Sequence, residues 1–144
     1  VGPPEPPMQP QYAPGSARVQ QASATSGAAA GSGACAGPFD HGAQWAQRLP
    51  AEFPAYPGAR ITEAAGNDSG RCRVLTFRTG DPYARVLEHY RGLAARAGFT
   101  AEHQARGTDH VLAGVNGRTD GAFYLIVTPL QNGSEVALIV NNGR

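Results

Sequence analysis

Lysine is absent from the 144-residue sequence, so all 12 basic residues are arginine. Such a bias is typical of GC-rich bacterial genomes and indicates no mechanism. The 11 acidic residues nearly balance the arginines, and the formal net charge is +1. A protein that binds nucleic acid through its phosphates usually carries a clustered basic excess, so this balance argues against a nucleic-acid partner. Binding to an anionic membrane surface is disfavoured for the same reason.

Long apolar runs are missing too. The sequence has no stretch of about 18 apolar residues, which a transmembrane helix requires. We therefore expect membrane association only through a partner or through an anchor that this chain does not contain. A hydrophobic content of 41% is enough for one modest core.

Residues 1–38 hold most of the prolines, together with many glycines and alanines, and their only charges are Glu5 and Arg18. Such a segment buries too little apolar surface to offset the cost of backbone ordering, about 1–2 kcal/mol per residue. We predict a tail that is separate from a globular domain of residues 39–144. The tail is either a plain linker or an arm that becomes ordered on a partner, because pre-extended Pro-rich segments lose less entropy on binding.

Two helices are predicted in the globular part. In FDHGAQWAQRLP, Asp40 is a candidate N-cap and Pro50 ends a short helix. In DPYARVLEHYRGLAARAGF, Asp81 is the predicted cap, Pro82 suits the first helical position and Gly98 suits the position just past the end. Apolar residues at spacings of three and four make this second helix long and amphipathic.

The remaining segments favour strands. Two precede the long helix and four follow it: ARITEAAG, RCRVLTFRT, TAEHQAR, HVLAGVN, AFYLIVTPL and EVALIVNN. Turn-forming residues separate the last four, as in antiparallel hairpins. The order predicts an α+β fold, in which the long helix packs on an antiparallel sheet.

The strands FYLIVT and VALIV are apolar at both alternating sets of positions. They should therefore be covered on both faces. The long helix covers one face. We predict that the second cover is the helix of Trp45, together with Phe53 and Tyr56, or else another protein chain.

Signatures of catalysis and of cofactor binding are missing as well. We find no phosphate loop, no dinucleotide glycine fingerprint, no metalloprotease histidine pair and no nucleophile elbow. His103 and His110 can face each other across a predicted hairpin, with Glu102 and Asp109 nearby. No spacing, however, matches a site of three or four metal ligands. We therefore expect solvent-facing histidines, no metal and no cofactor.

Two cysteines are present, Cys35 in GSGACAGP and Cys72 in a predicted strand. Cys35 could carry a lipid anchor, but the preceding GAAAGSGA lacks the apolar stretch of a lipoprotein signal. An even cysteine count in an exported chain favours a Cys35–Cys72 disulfide. Closing a loop of about 38 residues would contribute on the order of 3–4 kcal/mol. The alternative is two reduced thiols, with Cys72 a small core residue.

Two segments, FPAYPGARI and VLTFRTGDPYARVLEHYRGLAARAGF, resemble small envelope domains of Gram-negative bacteria, many of which are lipoproteins. In that family a YPGA-like motif precedes the first strand, a strand ending near F-x-T precedes a capped helix with hYr, and aGF closes the helix. Residues 49–99 carry the resemblance, and the later strands follow it by pattern. It implies a helix-on-sheet domain similar to outer-membrane assembly lipoproteins, some of which dock an extended N-terminal arm on a partner. It implies no catalytic residues.

We therefore expect a non-enzymatic, extracytoplasmic accessory subunit, periplasmic or otherwise outside the cytoplasm, that binds protein partners in a bacterial envelope assembly. The candidate contact residues lie on the arm and at the start of the domain: Pro4, Pro7, Pro10, Tyr12, Phe53 and Tyr56. Burial of Phe53 and Tyr56 within their own chain would assign them to the core instead.

Two other functions stay open. The chain could be a periplasmic domain that binds a small ligand between sheet and helix, with weak hydrolytic chemistry from His103, His110 and Asp109. It could also have a structural or filament-forming role, because strands that expose apolar faces or free edges associate.

Overall fold

The computed structural model of the chain describes residues 35, 38–67 and 71–141. The seven described strands form one antiparallel sheet in the order β1-β2-β3-β7-β6-β5-β4. In chain order, the elements are β1 (Asp40–His41), a 3-10 helix (Ala43–Arg48), β2 (Arg60–Asn67), β3 (Cys72–Thr79), α1 (Tyr83–Ala97), β4 (Glu102–Arg106), β5 (Asp109–Asn116), β6 (Gly121–Leu130) and β7 (Gly133–Asn141).

The predicted α+β fold is wrong, because the described residues form a predominantly β structure. The short predicted helix is a 3-10 helix with Gly42 as its N-cap. Asp40, the predicted cap, belongs to β1 instead. Two residues are too few to give a strand pattern in the sequence, and β1 forms because it pairs with Gly66 and Ala65 of β2.

The α-helix α1 has 15 residues and ends as predicted, with Gly98 in the left-handed conformation at φ 88°. Its start differs from the prediction. Pro82 is the N-cap, and no side chain caps the helix. The Asp81 carboxylate accepts a hydrogen bond from Tyr56 instead. One apolar side of α1 is buried: Val86, Leu87, Tyr90 and Ala94.

The length of α1 suits the topology of the sheet. The chain leaves the sheet at β3 and returns at β4, four strands away. Four spacings of about 4.8 Å make roughly 19 Å. A 15-residue helix is about 22 Å long, which is enough to cross that distance.

A row of four leucines runs across the centre of the sheet. Leu75 pairs with Leu138, Leu138 with Leu125, and Leu125 with Leu112. All four are fully buried, and they pack in one cluster with the buried side of α1. We call this side of the sheet the helix face.

The opposite side of the sheet is also apolar and buried, and we call it the disulfide face. We predicted that Trp45, Phe53 and Tyr56 would cover it. This first of the two predicted covers is wrong, because these three residues pack with α1 on the helix face. The other predicted cover, another protein chain, stays a prediction. Among the described residues outside the sheet, Cys35 and Phe39 pack on the disulfide face. Its other buried members include Val74, Val111, Tyr124, Ile126 and Ile139.

Gly114 of β5 lies so close to the backbone of Thr100 that a substitution can test the packing of residue 100 against β5. A Cβ atom at Gly114 would lie 1.7 Å from the carbonyl oxygen of Thr100. The Thr100 N–H donates to the Val115 carbonyl oxygen (2.9 Å), and the Val115 N–H donates to Thr100 Oγ1 (3.0 Å), so Thr100 cannot move freely. We expect Gly114→Ala to lower the free energy of unfolding by about 1–3 kcal/mol.

The matched control is Gly117→Ala, because a Cβ at Gly117 meets no atom within 4 Å. Its free energy of unfolding should change by no more than about 0.5 kcal/mol. Urea unfolding measures both. Equal effects of the two substitutions would contradict the packing of residue 100 against β5.

Candidate functional site

Cys35 and Cys72 form a disulfide, with their Cα atoms 5.6 Å apart. This confirms the predicted pairing. Both residues are buried. The bond occupies the Cys35 sulfur, so neither a lipid at Cys35 nor a pair of reduced thiols is compatible with this structure.

The disulfide fixes the junction between tail and domain. Cys35 packs on the disulfide face of the sheet. Three residues later, the Pro38 carbonyl oxygen accepts a hydrogen bond from Asn67 Nδ2 of β2 (3.1 Å). The chain that precedes Cys35 is therefore tethered at this face. The candidate contact residues Pro4, Pro7, Pro10 and Tyr12 lie outside the described residues.

The other two candidate contact residues are buried in the core. Phe53 is 0% exposed and Tyr56 is 5% exposed. The ring of Phe53 lies 5.1 Å from that of Phe99 and 5.0 Å from that of Phe123, measured between centroids. Tyr56 stacks on Phe77 at 6.0 Å. Their ring surfaces are therefore used within this chain.

A cleft of about 390 Å³ lies beside the first half of α1, and its lining residues are Tyr56, Pro57, Asp81, Arg85, Glu88 and His89. The Tyr56 hydroxyl donates to Asp81 Oδ2 (2.5 Å). Burial, followed by this hydrogen bond and the Asp81 charge, raises the pKa of Tyr56 to about 12. The phenol therefore stays protonated at neutral pH, and it joins the segment before β2 to the start of α1.

His89 lies in the same cleft. Its ring contacts Tyr56 edge-on, with centroids 4.9 Å apart. Burial, and secondly the Arg96 charge, lower the pKa of His89. Within the described part of the chain, its buried Nε2 atom has no hydrogen-bond partner.

The hairpin of β4 and β5 brings His103 and His110 together. His103 Nε2 lies 3.0 Å from His110 Nδ1. The ring of His110 stacks on Tyr83 of α1, with centroids 3.8 Å apart and planes 8° apart. Asp109, the third residue of the predicted hydrolytic group, accepts a hydrogen bond from Thr128 (2.8 Å). In the described ranges, no three or more His, Cys, Asp or Glu residues are grouped to hold a metal ion.

The outer edge of β4 is open. One side of β4 pairs with β5, and no described strand pairs with the other. All five side chains of β4 are exposed. Gly107, with φ 62°, starts the two-residue loop to β5, where a type II′ turn requires a positive φ. Arg106 and Asp109 flank this loop and form a hydrogen-bonded pair. Hydrogen-bonded and non-hydrogen-bonded pairs alternate along antiparallel strands, so Ala105 belongs to a non-hydrogen-bonded pair and its backbone N–H points away from β5.

The other edge of the sheet is blunted. β1 covers the end of β2, and the Gly42 N–H donates to the Ala64 carbonyl oxygen (3.0 Å). The register of β2 shifts between Ile61 and Glu63, which is a bulge. Bulges and short edge strands protect a sheet from pairing with other chains. Of the two edges, β4 is the one that offers an uninterrupted backbone.

No protein family, curated protein or solved structure matches the chain. Over residues 38–67 and 71–141, neither helix combines the length and the apolar character that crossing a membrane requires.

Sequence reasoning missed two of these features. His89 falls on the polar side of α1, but the segment of Tyr56 folds over it and half-buries it. The open edge of β4 depends on strand order, because β7 inserts between β3 and β6 and leaves β4 outermost. The short, polar EHQAR segment between two turns was the available signal for an edge strand.

The pKa of Tyr56 generates a test of the cleft. In the unfolded chain a tyrosine ionises near pH 10, whereas folding raises the pKa of Tyr56 to about 12. The folded state holds this proton more tightly, so the stabilisation is complete below pH 10 and is lost as the pH rises toward 12. We expect the free energy of unfolding to fall more steeply in this window for the native chain than for Tyr56→Phe, by roughly 2–3 kcal/mol in total.

Asp81→Asn is the second variant for this test. It removes the charge that favours the protonated phenol, so its stability should depend on pH less than that of the native chain. Urea unfolding at pH values between 9 and 12 measures all three proteins. Parallel curves for the native chain and Tyr56→Phe would contradict the role of the Tyr56–Asp81 hydrogen bond.

Proposed function

We propose that this chain is a non-enzymatic, extracytoplasmic accessory subunit that binds protein partners in a bacterial envelope assembly. The observation that carries the proposal is the open edge of β4, next to a sheet whose other edge is blunted. An extended segment of a partner can add to such an edge as a further strand, with affinity supplied by main-chain hydrogen bonds.

The disulfide supports a location outside the cytoplasm. Cys35 and Cys72 are bonded although 37 positions separate them in the sequence. Structural disulfides form and persist in oxidising compartments such as the periplasm, and they are rare in the cytosol.

The charges of β4 define the chemistry of the partner segment. Glu102 begins the strand and Arg106 ends it, and both are exposed. Opposite charges that face each other across antiparallel strands stabilise the pairing by about 0.2–1 kcal/mol. A partner segment that runs antiparallel to β4 would therefore place a basic residue opposite Glu102 and an acidic residue opposite Arg106.

The tail provides the second contact in this proposal. Cys35, where the tail meets the domain, is bonded to Cys72 and packs on the disulfide face. A Pro-rich segment that is anchored at one end needs less additional ordering to bind than a free one. The prediction for Pro4, Pro7, Pro10 and Tyr12 therefore stays part of the proposed function.

Binding without catalysis agrees with the partners of the titratable side chains. Tyr56 and Asp81 are hydrogen-bonded to each other, and Asp109 is bound by Thr128.

Site-specific photo-crosslinking tests the proposed edge. A benzophenone amino acid is placed at Gln104 of β4, or at the exposed Arg118 in the turn before β6, in cells that naturally produce the chain. We expect a discrete protein adduct at position 104 and none at position 118. Ala105→Pro should remove the adduct because it deletes the outward N–H, whereas Ala105→Ser should keep it.

The outcomes of this experiment are distinct. Adducts of equal yield at positions 104 and 118, or an adduct that Ala105→Pro leaves unchanged, would overturn the proposed edge. An adduct of twice the mass of the chain would assign the edge to a second copy instead of a partner. Circular dichroism checks that Ala105→Pro is folded, and combined Glu102→Arg and Arg106→Glu substitutions weaken the same adduct without a proline.

A further inference from the structure

We propose that His103 and His110 form a binding site for a divalent transition-metal ion of the zinc, nickel or copper type. The two imidazole rings project from neighbouring strands of one hairpin, and His103 Nε2 lies 3.0 Å from His110 Nδ1. This proposal does not depend on the proposed function, because it concerns the two rings alone.

The distance between the two nitrogens fits one shared metal ion. These ions bind imidazole nitrogen at about 2.0–2.1 Å. Two ligands that subtend about 90–109° at the ion are therefore roughly 2.8–3.4 Å apart. The observed 3.0 Å falls within this range, so the rings need to rotate but not to separate.

Metal binding replaces a proton between the rings. Without metal, one of the two nitrogens donates a hydrogen bond to the other, and the tautomers decide which one. On binding, that proton moves through solvent to the other nitrogen of its own ring. His103 then carries its hydrogen on Nδ1 and His110 on Nε2, and each facing nitrogen offers a lone pair to the ion.

The backbones of both residues and the plane of the His110 ring are already ordered before a metal arrives. Both residues belong to strands, and the register places His110 opposite Ala105 and His103 opposite Leu112. The His110 ring also stacks on Tyr83 with nearly parallel planes. Groups that are already ordered lose less entropy on binding, so two ligands bind more tightly here than two free histidines would.

The ligand set selects the class of ion. Imidazole suits zinc, copper and nickel, whereas magnesium and calcium prefer oxygen ligands. No third His, Cys, Asp or Glu joins the pair among the residues that the structure describes, and His103 is exposed. Water would therefore occupy the other coordination positions, and copper should bind more tightly than nickel or zinc by the usual order of these metals.

Titration calorimetry of the full chain with zinc chloride or copper chloride tests the site. The variants are His103→Ala and His110→Ala, and the matched control is His41→Ala. His41 is another exposed histidine in β1, at the edge of the sheet opposite β4, and its Nδ1 lies 3.0 Å from the Glu63 carboxylate of β2. We expect each hairpin substitution to weaken metal binding at least tenfold, and His41→Ala to leave it unchanged.

Nitrogen NMR of the imidazole rings supplies a direct second readout. Adding zinc should shift the ring signals of His103 and His110 and leave those of His41 and His89 in place. Affinities that are equal in all four proteins, or zinc shifts at His41 or His89 alone, would overturn the proposal. Circular dichroism of the variants excludes loss of folding as the cause of weaker binding.

Discussion

The fold depends on a central sheet that is apolar on both of its faces. Leu138 of β7 pairs with Leu75 on one side and with Leu125 on the other. The next residue, Ile139, is equally buried but belongs to the cluster on the opposite face. Burial of apolar surface contributes about 25 cal/mol per Å², so neither face can be left to solvent. Both faces must be covered, and this requirement decides where the other elements lie.

The two faces are covered by different parts of the chain. On the helix face, α1 packs together with Trp45, Phe53 and Tyr56. On the disulfide face, Cys35 is bonded to β3 and packs among apolar side chains. The faces are thus used for folding, and the edges remain for contacts with other molecules. One edge is blunted by β1 and a bulge, and at the other edge no described strand pairs with the outer side of β4.

Local patterns in the sequence predicted elements better than their arrangement. The stripe of α1, the glycine that ends it and the cysteine pair were predictable because each depends on residues close in sequence or on a count of two. The fold class was not predictable in this way. β1 forms only because it pairs with β2, and the proportion of strand to helix depends on such pairings between distant residues. Asp81 shows the same limit. Its position suggested a helix cap, but the Tyr56 hydroxyl lies close enough to donate a hydrogen bond to the Asp81 carboxylate. The histidine pair was visible as a spacing, whereas its 3.0 Å separation depends on the register of a hairpin.

The disulfide connects the fold to the proposed location, since it fixes Cys35 at one face of the sheet and structural disulfides are typical of oxidising compartments. The most direct measurement is therefore alkylation of free thiols in intact cells that produce the chain, followed by digestion without reduction and mass mapping of the peptides. We predict that Cys35 and Cys72 are recovered as one linked pair within a single chain, with neither thiol alkylated. Recovery of both cysteines in alkylated form would contradict the extracytoplasmic location and the fixed junction between tail and domain.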